Sequence, residues 1–230
     1  METPDIRVNR HIFDLGIIVN FVIFSNIDNH TLPKKFNEYR KSVLTDILSG
    51  LSKNTIRRDR YLQGYRLLRE RTGLGKDRYI SSPEALLKYL LKNRDLPRIN
   101  PLVDIYNLLS VKSRISIGAH DMEKINAHLE LRLTSGDETF TPMGQSLPMN
   151  VAAGEYAYVD GDHEILCRLD HRQCHKTRIT ETTHSRVLIV QGNPYIEAES
   201  LDSITAESIL LVNEYCGSES HIIPFSVPEG

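Results

Sequence analysis

Apolar residues recur along this chain first as one β-branched run, then at helical spacing, and finally in alternation. Ile17 to Phe24 reads IIVNFVIF, and this β-branched, aromatic run predicts a buried strand. After the polar turn Ser25 to Thr31, Pro33 stands where a helix would begin. Phe36, Tyr39, Val43, Ile47 and Leu51 follow at helical intervals. A second helix is expected from about Thr55 to Arg71, ended by Gly73 and Gly75. Ser82-Pro83-Glu84 starts a third, with Ser82 as its cap and Leu86, Leu87, Leu90 and Leu91 as its apolar face.

Asn100 to Asp121, reading NPLVDIYNLLSVKSRISIGAHD, is the most informative stretch. Asn-Pro opens a helix whose apolar run carries Asp104 and Asn107. A helix built only for packing has no use for an acid and an amide among Val103, Ile105, Leu108 and Leu109. Buried polar groups cost free energy unless they find partners. These two therefore either cap and tie down the following turn or hold a nearby loop or ligand. Gly118 is expected to set up a tight Ala-His-Asp turn.

The character changes after Asp121. His128 to Thr134 alternates strictly, as a strand with one wet face does. Glu138 to Met143, Glu155 to Asp160, His163 to Leu169 and Arg186 to Gln191 read as further strands. Gly136-Asp137 and Gly161-Asp162 mark tight turns between them. A last helix fits Ile204 to Tyr215, with Ser203 as cap and Gly217 after its end, and the polar tail from Ser218 reads as loose. The fold class is α+β, helix-rich in its N-terminal half and antiparallel later.

Composition narrows the function. The 230 residues suffice for one large domain with a full core. A formal charge of −2 excludes a generally basic nucleic-acid coat, so RNA contact requires a local patch. Lys53 to Arg78 supplies one: nine basic residues against three acids, with Tyr61 and Tyr65 interleaved. Charge can fix register on phosphates while aromatic faces stack bases, and Arg57, Arg58 and Arg60 are the nucleic-acid contacts this predicts. A solvated helix face has the same composition. Three cysteines, Cys167, Cys174 and Cys216, form no disulfide framework, which points to a reducing cytoplasm. The run Leu15 to Phe24 falls short of a membrane span and lacks a cleavage site, so neither membrane insertion nor a signal peptide is expected.

His171, Cys174 and His175 lie close together, but no second ligand pair accompanies them, so no metal or cofactor is expected. Arg172-Gln173 fits a different task, presenting a planar cation and an amide to a phosphate, carboxylate or base. No nucleophile-elbow, P-loop or dinucleotide glycine pattern is present.

Five segments together resemble a known family: Asn100 to Ser110 (NPLVDIYNLLS), Ile117 to Asp121 (IGAHD), Leu131 to Gly144 (LRLTSGDETFTPMG), Gly154 to Asp160 (GEYAYVD) and His171 to Thr183 (HRQCHKTRITETT). They resemble free-standing relatives of the tRNA-editing domain in the beta chain of phenylalanyl-tRNA synthetase, modules B three and B four. The resemblance runs from about Pro97 to Gln191 and more loosely from Arg57. It implies mixed or antiparallel sheets folded around a pocket, as a sandwich or partly open barrel, with helices packed outside. The chain then reads as one editing-like domain: a strand and helical part over 1–96, the pocket part over 97–217 and the tail over 218–230.

The implied activity is hydrolysis of a mischarged aminoacyl-tRNA ester, the remedy for side-chain differences that one binding site cannot reject. A second reading is a non-catalytic module that binds tRNA or an amino-acid-like ligand. The pocket chemistry departs from the synthetase. Gly118 matches a pocket histidine there, and His120 falls where that family has an aromatic residue. Gln173-Cys174 replace a glycine pair, and the pocket glutamate maps to Val190 or Gln191. The expected catalytic residues are His120 and Gln191. Asp104, Asn107, Gly118, Arg172, Gln173 and Thr177 are expected at the substrate. The oligomeric state is left open.

Overall fold

The late strands expected from alternation form two sheets that close on a shared interior. The computed structural model describes residues 5–73 and 79–228, so Gly75, Lys76, Asp77 and Arg78 of the basic segment lie outside the described residues. In chain order the elements are β1 (Asp5–Val8), α1 (Arg10–Asp14), β2 (Val19–Ser25), α2 (Lys34–Gly50), α3 (Lys53–Arg58), α4 (Arg60–Arg71), α5 (Ser82–Asn93) and α6 (Pro101–Ser113). Then come β3 (Ser116–Asp121), a 3-10 turn (Met122–Lys124), β4 (His128–Leu133), β5 (Thr139–Phe140), β6 (Met149–Asn150), β7 (Tyr156–Asp160) and β8 (Ile165–Arg168). β9 (Arg172–Gln173), β10 (Ser185–Gln191), α7 (Ala198–Cys216) and β11 (Glu219–Ile223) complete the order.

One sheet runs β1-β4-β7-β8-β9, parallel at β1-β4 and antiparallel elsewhere. The second runs β11-β2-β10-β3 and is antiparallel throughout. β5 and β6 form a separate hairpin. This is the expected α+β class, with mixed and antiparallel sheets and no closed barrel among the described residues. Phe21 of β2 meets Tyr158 of β7 edge-on at 6.4 Å, joining the two sheets.

Helix α6 packs against β3, α2, α5 and α7 at once, which is why it is buried from Pro101 to Val111. Its orphan N-terminal amides are all served: Leu102 donates to Asn29 Oδ1 at 3.0 Å, Val103 to Asn100 Oδ1 at 3.1 Å and Asp104 to Asn100 O at 2.9 Å. Asn100 and Pro101 thus act as the sequence predicts.

Five local expectations are corrected. Ser82 is the first residue of α5 and not its cap, which is Ser81. The single helix from Thr55 to Arg71 is two helices, because Asp59 turns extended and caps α4 by accepting from Leu62 N at 3.1 Å. Ser203 lies inside α7, whose N-cap is Glu197; Gly217, at φ 61°, ends that helix as expected. The tail is not loose at its start: β11 adds to the edge of β2, and Val8 N and Ser226 N tie the following residues to β1. Ala-His-Asp is no turn, since Ser116 to Asp121 is an extended strand paired along its length with β10. β1 and α1 carry no periodicity long enough to be read. Glycine at position 64, inside α4, has a steric reason: a Cβ there would lie 1.8 Å from Asn193 Oδ1.

Candidate functional site

A cavity of about 350 Å3 opens between the two sheets beneath α5 and α6. Strand alternation decides what faces it. Ser116, Gly118 and His120 project from the same side of β3, with Ile189 and Gln191 beside them on β10. From the other sheet come Tyr158, Cys167 and Gln173, which sit in one row across β7, β8 and β9. Tyr106 and Asn107 descend from α6, Ser82 and Leu86 from α5, and Leu169 to Arg172 form the remaining wall.

The two polar residues of α6 part ways here. Asp104 points back along the chain, accepting from Ile99 N at 2.9 Å and pairing with Arg98 at 3.2 Å. It ties the segment before the helix, not the turn after it, and it does not line the cavity. Asn107 lines the cavity, is 8% exposed, and its side chain makes no hydrogen bond among the described residues. Its amide is therefore free to meet a ligand in the cavity.

Gln191 is a stronger case. Its Oε1 accepts from Tyr158 at 2.8 Å, while its buried Nε2 has no partner among the described residues. Its carbonyl accepts from the Tyr65 hydroxyl at 2.7 Å, which in turn accepts from Ser116 N at 2.7 Å. These bonds hold the residue at the end of β10. His120, 2% exposed, shares a 2.7 Å hydrogen bond between Nδ1 and Thr177 Oγ1, and its Nε2 has no partner among the described residues. Thr177 lies behind His120 and does not line the cavity. Its hydroxyl also meets Cys174 Sγ at 3.1 Å. Register places His120 opposite Val187 and Gln191 opposite Ser116. The two side chains therefore stand roughly 13 Å apart along the strand, at opposite ends of one cavity.

Gly118 and Gln173 form one unit. Gln173 Nε2 donates to Ala119 O at 3.1 Å, and a Cβ on residue 118 would come within 3.0 Å of that nitrogen. The amide of Gln173 thus fills the space over Gly118. Arg172 is exposed at the cavity mouth and makes no ion pair or side-chain hydrogen bond among the described residues.

Burial sets the protonation states. It holds His120 down to about 4, so the imidazole is neutral at pH 7. Burial pushes the Cys167 and Cys174 thiols up, so neither rests as a thiolate nucleophile. The His120 shift makes stability pH-dependent. The unfolded imidazole, at 6.5, binds a proton that the folded one refuses until about pH 4, so stability falls as pH drops through that window. From pH 7.5 to 5.5 the wild type should lose about 1.3 kcal/mol more than His120→Gln. Urea unfolding at both pH values measures this, and equal losses would mean that His120 is charged in the fold.

Sequence reasoning missed Asp170, Tyr106 and Tyr158, and it counted Arg69 in a basic stripe. Arg69 is 0% exposed, and its Nη2 pairs with Asp170 Oδ1 at 2.8 Å. Tyr156 donates to the same oxygen at 2.8 Å, and Arg69 Nη1 donates to Tyr65 O at 3.0 Å. Arg66 and Arg71 are also engaged within the fold, with Glu84 and with Leu15 O. Arg57, Arg58 and Arg60 remain on the surface, away from this cavity. Arg57 borders a second hollow of about 640 Å3, and Arg60 sits 5.7 Å over the Tyr195 ring. No helix among the described residues is long and apolar enough to cross a membrane.

The architecture is therefore that of an α+β pocket domain, its cavity walled by two sheets and lined by unpartnered polar groups. The chain belongs to the B3/4 domain family, whose match covers residues 66–205 and so includes every residue lining the cavity. Among solved structures it is similar to an N-terminal fragment of the phenylalanyl-tRNA synthetase beta-subunit from Pyrococcus horikoshii. Identity is 12% over 96% of this chain and 51% of that one, with a TM-score of 0.49. This chain spans about half the length of that fragment. No curated protein matches the sequence.

Proposed function

We propose that the cavity takes the aminoacyl end of a mischarged tRNA and hydrolyses its ester. The carrying observation is Gln191 Nε2, a buried donor without an acceptor in the wall of the pocket. An ester carbonyl that gains negative charge supplies that acceptor, and a donor held in place beforehand stabilises the charge. Family membership and the editing-domain motifs support the choice of substrate.

In this reading water attacks the carbonyl carbon, the carbon–oxygen bond to the ribose breaks, and the water's proton passes to the departing ribose oxygen. Gln191 donates to the carbonyl oxygen. His120 is too weak a base near pH 7 to take the water's proton, and acts instead as a neutral hydrogen-bond partner for a part of the substrate at the opposite end of the cavity from the ester. Asn107 and Gln173 position the substrate, Gly118 leaves room for Gln173, and Arg172 meets a phosphate at the mouth. Thr177 orients His120. The same lack of a strong base favours the alternative of a binding module without turnover. The deciding experiment incubates the purified protein with tRNAs carrying matched and mismatched amino acids. Faster ester loss from at least one mismatched tRNA is expected, and spontaneous rates throughout would leave only the binding module.

We propose that the exposed Arg57, Arg58 and Arg60 meet the tRNA body and that the protein works in the cytoplasm. Replacing all three by Ala should weaken tRNA binding and flatten its salt dependence, by about one unit of log–log slope for each phosphate that an arginine no longer neutralises. Filter binding between low and moderate salt measures this. An unchanged slope would return these residues to a solvated face.

A further inference from the structure

Asp170 is the one acidic residue lining the cavity among the described residues. Its side chain is 0% exposed, and its two oxygens are used unequally. Oδ1 accepts from Arg69 and from Tyr156, both at 2.8 Å, whereas Oδ2 is buried and meets no donor among the described residues. An ion-paired carboxylate with one bare oxygen, on a residue that lines the cavity, is poised for a second cation or a strong donor.

Its place in the fold narrows the ligand. Asp170 O accepts from Ser82 N at 2.9 Å, and Ser82 Oγ meets Ser116 Oγ at 3.2 Å. Ser116 is the register partner of Gln191. The Arg69 that pairs with Asp170 also holds Tyr65, whose hydroxyl holds the Gln191 carbonyl. Asp170 and Gln191 thus belong to one end of the cavity and to one hydrogen-bonded network. Two residues beyond Asp170, the exposed guanidinium of Arg172 stands at the mouth.

We propose that Asp170 recognises the free α-amino group of the aminoacyl ester, so that the substrate class is aminoacyl-tRNA with an unblocked amine. This rests on the reading of the pocket as an aminoacyl-ester site. In an α-amino ester the nitrogen lies one carbon from the carbonyl, which suits a donor at Gln191 and an acceptor at Asp170. A negative residue inside and a positive one outside match the ammonium and then the phosphate of a charged 3′ nucleotide. An N-acyl group removes the charge and sets a second acceptor near the bare oxygen, which disfavours blocked substrates.

The test is calorimetric titration of the wild-type protein with 3′-aminoacylamino-3′-deoxyadenosine 5′-phosphates. These amides cannot be hydrolysed as esters are, and each is paired with its N-acetyl counterpart across several side chains. The free amine should bind roughly 10- to 100-fold more tightly within a pair, the range for a charge-assisted hydrogen bond. That advantage should fade as pH rises past the α-amino value of about 8. Asp170→Asn should abolish it, with folding of the variant checked by circular dichroism because Arg69 loses its partner. The wild-type comparison stands without the variant. Equal affinities within every pair, or no binding by any probe, would overturn the proposal. The hydrolase reading fails separately: amine-selective binding without deacylation of any tRNA removes turnover but keeps Asp170, whereas equal deacylation of free and N-acetylated substrate removes Asp170 alone.

Discussion

Exchanging Arg69 for methionine is expected to lower the free energy of unfolding by about 3–5 kcal/mol, the usual cost of removing one partner of a buried ion pair. The guanidinium and the Asp170 carboxylate are both fully buried and lie 101 positions apart in sequence. Methionine fills much of the same volume, so the loss is electrostatic more than steric. Asp170 would keep only the Tyr156 hydroxyl on Oδ1 and nothing on Oδ2. The double variant Arg69→Met with Asp170→Asn should recover part of the loss, since no unpaired charge remains. Urea denaturation at pH 7.5 reads both. A single-variant loss below about 1 kcal/mol would place the pair in contact with solvent.

His120→Ala and Gln191→Ala should each slow single-turnover deacylation by roughly 10²–10³, the range for loss of one well-placed donor. Affinity for uncharged tRNA should be unchanged, because none of the three exposed arginines lines the cavity. The two losses should be nearly additive in free energy, since the side chains stand at opposite ends of the cavity and share no hydrogen-bond partner. Wild-type rates in both folded variants would remove them from turnover. A slowed rate with equally weakened tRNA binding would instead make them general pocket supports.

The helices and strands were legible where one face is buried over several turns or pleats. Phe36, Tyr39, Val43 and Ile47 mark α2 by spacing, in or against the core, and β10 shows as a run buried at every position. Boundaries were legible only where the cap lies next door in sequence, as with Asn100-Pro101 for α6 and Gly217 for α7. The break at Asp59 was not, because Asp is compatible with a helix interior until its side chain closes on Leu62 N. The strand at Ser116 to Asp121 was mistaken for a turn because glycine there suggested a bend. Its real reason is Gln173, which lies across residue 118 from the other sheet.

By itself the sequence determined the α+β class, the start of α6 at Asn100-Pro101, membership of the B3/4 domain family, and a set of polar residues too many for a packing core. Only the tertiary structure decided which of those polar residues are satisfied. Asp104 and Asn107 look alike on one helix, yet the first is bonded to Arg98 and Ile99 while the second faces a cavity without a partner among the described residues. Arg69 and Arg57 look alike in one basic stretch, yet the first is fully buried and the second is exposed. Periodicity is a local property, written by whichever face of an element is buried. Whether a polar group is paired depends on residues a hundred positions away, and that is settled only when the sheets close around the cavity.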